Sequence, residues 1–267
     1  MEQGVLYLNP ILLEFFESSS YIGFRFLKSK NEHPCGDNSL VMDTEHFSFM
    51  LNCDGVSSAS SPEKSSTLLV EAFTTHFKSM TSKKPRLGKI TELILKKNKE
   101  YLKKNLASTM DLFVFSKKFN YYIGLGDSSF YIFDEEAEVI FQNWIHNQSK
   151  IVEDHFGSKL GEDHILVNCV GIQHPRFEMA ENIKVPKNSR LLFHSDGVEQ
   201  FFNSPEKIHN YCFKILNLLT SARSKGQEAE PKETRSASEI EQKITEQMNE
   251  HFKDNFDDLS IVFCILK

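Results

Sequence analysis

Residues 111–141 read DLFVFSKKFNYYIGLGDSSFYIFDEEAEVIF, and the fold is decided here. Leu112 to Phe115, Phe119 to Leu125, Phe130 to Phe133 and Val139 to Phe141 are short apolar runs separated by polar turns, such as Lys117-Lys118 and Asp134 to Glu136. Runs this short, rich in aromatic and β-branched residues, read as strands. Connections of three to five residues are too short for a parallel crossover, so the segment predicts antiparallel sheet.

The same pattern recurs on both sides. Upstream, Tyr21 to Leu27, Leu40 to Met42 and Phe47 to Cys53 read as strands; downstream, Ile165 to Val170, Ile183 to Val185, Arg190 to His194 and Leu259 to Leu266 do so. Between them the apolar period lengthens to that of a helix. Ser61 and Pro62 open a helix carrying Leu69, Phe73, Phe77 and Met80. A second carries Ile90, Leu93, Ile94, Tyr101 and Leu102, with Lys96, Lys97, Lys99, Lys103 and Lys104 as its solvated face. Ser204-Pro205 opens a third, with Ile208, Cys212, Ile215 and Leu219. Ser238 and Glu241 form a capping box for a fourth, with Ile240, Ile244, Met248 and Phe252. Thr220 to Ala237 is polar and nearly free of large apolar residues, and is expected to be a flexible insertion within one domain spanning 1–267. The whole is α+β, antiparallel sheets covered by amphipathic helices.

Composition narrows the function. Twenty-three phenylalanines among 267 residues supply ample area for a core, and a net charge of −6 disfavours a nucleic-acid binder. The five cysteines, Cys35, Cys53, Cys169, Cys212 and Cys264, are odd in number and form no CxxC pair, which reads as buried reduced thiols. Pro10 and Glu14 interrupt the N-terminal apolar stretch, which has no basic flank, so neither a secretion signal nor a membrane span is expected. The expected setting is the cytoplasm, with delivery into another cell left open.

The chemistry lies in aspartates at strand ends. FSFMLNC runs into Asp54-Gly55-Val56 and RLLFHS into Asp196-Gly197-Val198; Asp257-Asp258 precedes LSIVFCIL, Asp37 precedes a strand in CGDNSLV, and Asp127 sits between strands in GLGDSSFY. One such Asp-Gly is usually a turn. Five carboxylates gathered at one sheet edge would repel unless cations neutralised them, and an oxygen-only donor set favours Mg²⁺ or Mn²⁺. Glycine at 55 would let a backbone carbonyl reach the same ion as Asp54. Two ions about 3.5–4 Å apart can polarise a phosphoryl group and activate water.

In order, CGDN, LNCDGVSSA, YYIGLGDSSFYIF, LVNCVGIQHP, RLLFHSDGVEQFF and DDLSIV resemble the motifs of the metal-dependent protein phosphatases of the protein phosphatase 2C type, in a bacterial-like version. The likeness runs from about Ser18 to the C-terminus. It implies a four-layer αββα sandwich, two central antiparallel sheets flanked by helices. It also implies hydrolysis of phosphoserine and phosphothreonine in a phosphorylated protein at a binuclear Mg²⁺ or Mn²⁺ centre, by a monomer acting on no nucleic acid or membrane. Under it, Asp54 bridges two ions and Gly55 adds its carbonyl. Asp196 and Asp257 complete the first ion's protein ligands, and Asp37 orients water or joins the second ion. Asp127 helps hold a third, weaker ion, or is a turn aspartate bonded to its own backbone. Arg25 is the first candidate for the phosphate-binding cation, with Lys28, Lys30 and His33 as alternatives. The alternative function is a catalytically silent binding module. Three departures bear on it: Gly36 stands where the family usually carries Glu or Gln, Ser57-Ser58 replace a glycine pair, and Val56 replaces a histidine acid of some members.

Overall fold

The computed structural model describes residues 11–30, 34–80, 84–147, 165–228, 237–255 and 257–267. Among the described residues eleven strands alternate with four helices: β1 (Ile11–Glu17), β2 (Tyr21–Lys28), β3 (Asp37–Asp43), β4 (Ser48–Asp54), α1 (Pro62–Lys78), α2 (Leu87–Lys104), β5 (Met110–Phe115), β6 (Asn120–Leu125), β7 (Ser129–Phe133), β8 (Val139–Gln142), β9 (Glu178–Glu181), β10 (Arg190–His194), α3 (Pro205–Glu228), α4 (Ala237–His251) and β11 (Leu259–Leu266). A 3-10 turn, Asp196–Phe201, follows β10.

The strands form two sheets, β1-β2-β11-β10-β7-β8 and β3-β4-β5-β6-β9, antiparallel at every junction. Period-2 alternation gives each central strand two apolar faces, one for the facing sheet and one for helices. α1 and α2 lay Leu69, Phe73, Phe77, Ile90 and Ile94 on Phe49, Leu51, Leu112 and Val114 of the five-stranded sheet. α3 and α4 lay Ile208, Cys212, Ile215, Ile244 and Met248 on Phe24, Phe26, Ile261 and Phe263 of the other. The result is the four-layer αββα sandwich that the sequence predicts. All five cysteines are buried and free. No described helix is long and apolar enough to cross a membrane.

The space between the sheets is not uniform. At one end it is aromatic, with Phe130 stacked on Phe193 at 4.2 Å and Phe113, Tyr122, Val262 and Cys264 around them. Toward the other end the same inward rows continue as Ser39, Asn52 and Ser260, all fully buried, whose side-chain oxygens have no hydrogen-bond partner among the described residues.

Four expectations are corrected. Residues 165–170 form only isolated bridges, Leu166 to Asn147 and Val170 to Ser108, because Asn168 ties the segment to the Arg176 backbone instead of to a sheet. The strand expected at 183–185 lies earlier, at Glu178–Glu181, and is ended by Asn182, whose φ of 53° is left-handed. The flexible insertion expected at 220–237 is helical over its first part, since α3 continues to Glu228; residues 229–236 lie outside the described residues. Ser238 lies inside α4 rather than capping it, and Glu241 bonds Arg223 of α3 at 2.6 Å.

Candidate metal-binding and phosphoryl site

The site is built on the junction of β3 and β4. The Gly55 N–H donates to the Gly36 carbonyl at 3.1 Å, which sets the phase of the ladder. Asp37 and Asp54, directly opposite each other one step inward, then form a non-hydrogen-bonded pair, the arrangement in which facing side chains come closest. Glycine at 55 is a steric requirement, since a Cβ there would stand 2.1 Å from the Pro62 carbonyl oxygen at the start of α1. The Asp54 N–H donates to Thr109 Oγ1 at 3.0 Å, and Thr109 N–H returns a bond to the Asp54 carbonyl at 2.8 Å. Thr109 Oγ1 also meets Ser128 Oγ at 2.9 Å, which couples Asp54 to the turn holding Asp127.

The remaining carboxylates arrive from the other sheet. The Ser260 N–H donates to Ser195 Oγ at 2.9 Å, and Ser195 N–H to the Ser260 carbonyl at 3.1 Å, which joins the end of β10 to the start of β11. Asp196 and Asp257 lie just beyond that link. Asp258 accepts from the Lys30 N–H and the Gly36 N–H, both at 2.8 Å. Its carboxylate occupies the space beside Gly36: a Cβ at 36 would stand 2.6 Å from Asp258 Oδ2. In the sequence, adjacency to Asp257 is the one signal that marks Asp258.

Electrostatics shows that these groups share one neighbourhood. Burial, then Asp258 and Asp196, raise the Asp37 pKa, while burial, then Asp37, Asp196 and Asp127, raise that of Asp54. Asp127 is pushed up to about 7 by burial, Asp196, Glu199 and Asp257. It also takes a hydrogen bond from its own backbone, so its turn role and its place among the carboxylates coexist. Lys30 Nζ lies 3.1 Å from Asp257 Oδ1; burial alone would lower its pKa, but Asp257, Asp258 and Asp54 raise it.

Arg25 stands elsewhere. Its Nε donates to Glu14 Oε2 at 2.5 Å and its Nη1 to the Ser39 carbonyl. The cation beside a site carboxylate is Lys30, one of the alternatives weighed; His33 lies outside the described residues. Ser57 and Ser58 are exposed in the turn after Val56.

Among the described residues no three acidic, His or Cys side chains stand close enough to enclose an ion. The chemistry of the donors nonetheless fits a hard divalent cation. Both Asp37 carboxylate oxygens are buried with no well-formed hydrogen bond among the described residues, although the Ser195 and Asp54 side chains lie near enough to offset part of the pKa rise that burial causes. A buried carboxylate normally has donors or a counter-ion, so Asp37 fits the neighbour of a cation.

Comparison with known proteins agrees. The Protein phosphatase 2C family profile matches residues 28–231. No curated protein matches the chain in sequence. Among solved structures, RsbX in complex with magnesium aligns over 96% of this chain and 100% of its own, with a TM-score of 0.60 and 15% identity. The serine/threonine phosphatase PstP/Ppp of Mycobacterium tuberculosis aligns over 93% and 99%, at 0.65 and 13%. The catalytic domain of the phosphatase PstP with two manganese ions aligns over 96% and 99%, at 0.62 and 14%. At such identities the structural likeness is one of fold, and it reaches nearly end to end. The profile match covers most of the chain and includes Asp37, Asp54, Asp127 and Asp196, and this chain therefore belongs to the protein phosphatase 2C family.

Proposed function

We propose that the protein is a metal-dependent serine/threonine protein phosphatase. Asp54, the Gly55 carbonyl, Asp196 and Asp257 would hold one Mg²⁺ or Mn²⁺, Asp54 and Asp37 a second, and Asp127 would help hold a third, weaker one. The pairing of Asp37 with Asp54, with both Asp37 oxygens buried and lacking a well-formed hydrogen bond among the described residues, is the observation that carries this reading. When bound, divalent ions supply Lewis-acid stabilisation of phosphoryl oxygens and acidify water.

The chain's own groups do the rest. An Asp37 carboxylate raised by burial can accept the proton of an attacking water at Oδ1 or Oδ2. Thr109 fixes the backbone of Asp54, and Asp258 fixes Lys30 and Gly36 around it. Lys30 Nζ is the cation placed to meet phosphoryl oxygens. Val56 brings no proton donor, so protonation of the leaving serine or threonine falls to water or to another group. The buried free thiols support a reducing compartment such as the cytoplasm, and the acidic net charge supports phosphoprotein rather than nucleic-acid substrates.

Phosphate release from a phosphothreonine peptide with Mn²⁺ tests the proposal. Asp54→Asn should lower kcat/KM at least a hundredfold; wild type without turnover, matched by the variant, overturns it. The competing reading, a silent binding module, is favoured by the bare Gly36 and by carboxylates that do not close on an ion. Calorimetric titration with Mn²⁺ separates the two, since a silent module shows no saturable binding that Asp54→Asn removes.

A further inference from the structure

A groove of about 1220 Å³ lies beside the site, between β3, the middle and end of α1 and the β1–β2 pair. It exceeds the roughly 300–1,000 Å³ of a small-molecule pocket, which suits a polymer segment better than a metabolite. One wall is a sheet edge that no described strand covers, because β3 is the last strand of the five. The Gly36–Gly55 bond sets which backbone groups face outward: Asn38, Leu40 and Met42 fall on the hydrogen-bonded positions toward β4, so Ser39, Val41 and Asp43 turn their N–H and C=O groups toward the groove. Arg25 confirms the phase, since its guanidinium donates to the Ser39 carbonyl on that side. Val41 is half-buried and Asp43 exposed, so the edge is accessible beyond Ser39. Across from it, α1 presents Val70, Glu71 and Thr74.

The charge of the groove is acidic. Glu14 meets the Arg25 guanidinium at 2.5 Å, leaving Asp43, Glu45 and Glu71 against Lys78. We propose that the outer edge of β3 is a strand-addition site for an extended, lysine- or arginine-bearing segment of the phosphoprotein substrate. Such a segment gains main-chain bonds to Val41 and Asp43, seats alternate side chains against α1, and meets the carboxylates with its cations. β3 itself begins at Asp37, so a bound segment lies in line with the site, roughly 14–20 Å of extended chain away. The partner's identity as a substrate rests on the phosphatase reading; the binding does not.

The test uses a fluorescein-labelled octapeptide of alternating lysine and valine, added to the full chain in EDTA and read by anisotropy. Saturable binding that weakens with salt is expected. Val41→Pro removes an outward N–H that β4 does not use, and should weaken binding at least tenfold. Glu71→Lys, on the exposed face of α1, should weaken it at least threefold. Absence of binding, equal binding of a peptide with aspartate in place of lysine, or indifference to both substitutions overturns the proposal. Sedimentation showing a wild-type dimer that Val41→Pro makes monomeric also overturns it, by giving the edge to a second copy. Because no turnover is involved, this can fail while the wild type still hydrolyses phosphopeptide, and the reverse.

Discussion

Lys30 Nζ lies 3.1 Å from Asp257 Oδ1, so a lysine just past the end of β2 already pairs with a carboxylate proposed to hold metal. The pair is partly exposed, and such pairs contribute about 0.2–1 kcal/mol. Lys30→Met should therefore raise Mn²⁺ affinity about two- to fivefold by calorimetry. It should also raise KM for a phosphopeptide, because the cation nearest the phosphoryl position is lost. Unchanged affinity and KM together would remove Lys30 from the site.

Gly36 and Asp258 share one space. Gly36→Ala puts a Cβ 2.6 Å from Asp258 Oδ2, and overpacking of this kind costs about 1–3 kcal/mol. In a chain of this size each kcal/mol moves Tm by about 2–4 °C. The drop should be smaller when measured in an Asp258→Ala background, since contacting residues are non-additive. Equal drops in both backgrounds would show that the two side chains do not compete.

The metal-free protein should lose stability as pH rises. Burial and mutual repulsion raise the pKa values of Asp37, Asp54 and Asp127, the last to about 7, against ordinary values near 4 in the unfolded chain. Between those values the folded state holds protons that the unfolded state has released, so each group withdraws up to about 1.4 kcal/mol per pH unit. Thermal scans in EDTA should give a higher Tm at pH 5 than at pH 7.5, and saturating Mn²⁺ should lessen or reverse the difference. A Tm in EDTA that rises over this range would contradict the burial of these groups.

Asn52 carries a fully buried amide with neither Oδ1 nor Nδ2 bonded to the described residues. An unmet buried polar group costs about 1–3 kcal/mol. Asn52→Val should raise Tm by several degrees. A fall would show that the amide is satisfied by ordered water.

Much of this was legible in the sequence, for reasons visible in particular residues. Strand and helix periods are local, so the hairpins of 111–141 and the apolar stripes of α1 and α2 could be read directly. The Asp-Gly pairs at strand ends marked the site because an abrupt change from apolar to acidic is local too. What escaped depended on distant partners. β1 was hidden by Glu14, whose carboxylate is placed by Arg25 across the sheet. The last turns of α3 look polar, yet Ala222 is buried, and Arg223 bonds Glu241 and covers the Phe15 ring at 4.2 Å. Residues 165–170 look like a strand, but Ile165 and Val167 are 44% and 40% exposed. Arg25 was a reasonable phosphate ligand until β1 supplied its counter-charge.

The unequal filling between the sheets sets where the molecule gives way. Stacked rings seal the end away from the aspartates, while serine, asparagine and carboxylate groups lie under the aspartate-bearing edge with bonding capacity unmet among the described residues. Water entering there has polar groups to solvate, whereas at the aromatic end it would only break contacts. The sandwich thus behaves as a clamp, fastened at one end and easing at the other. Amide protons of β3 should exchange with deuterium long before those of β10, so the edge that carries the aspartates can adjust without loosening the rest of the domain.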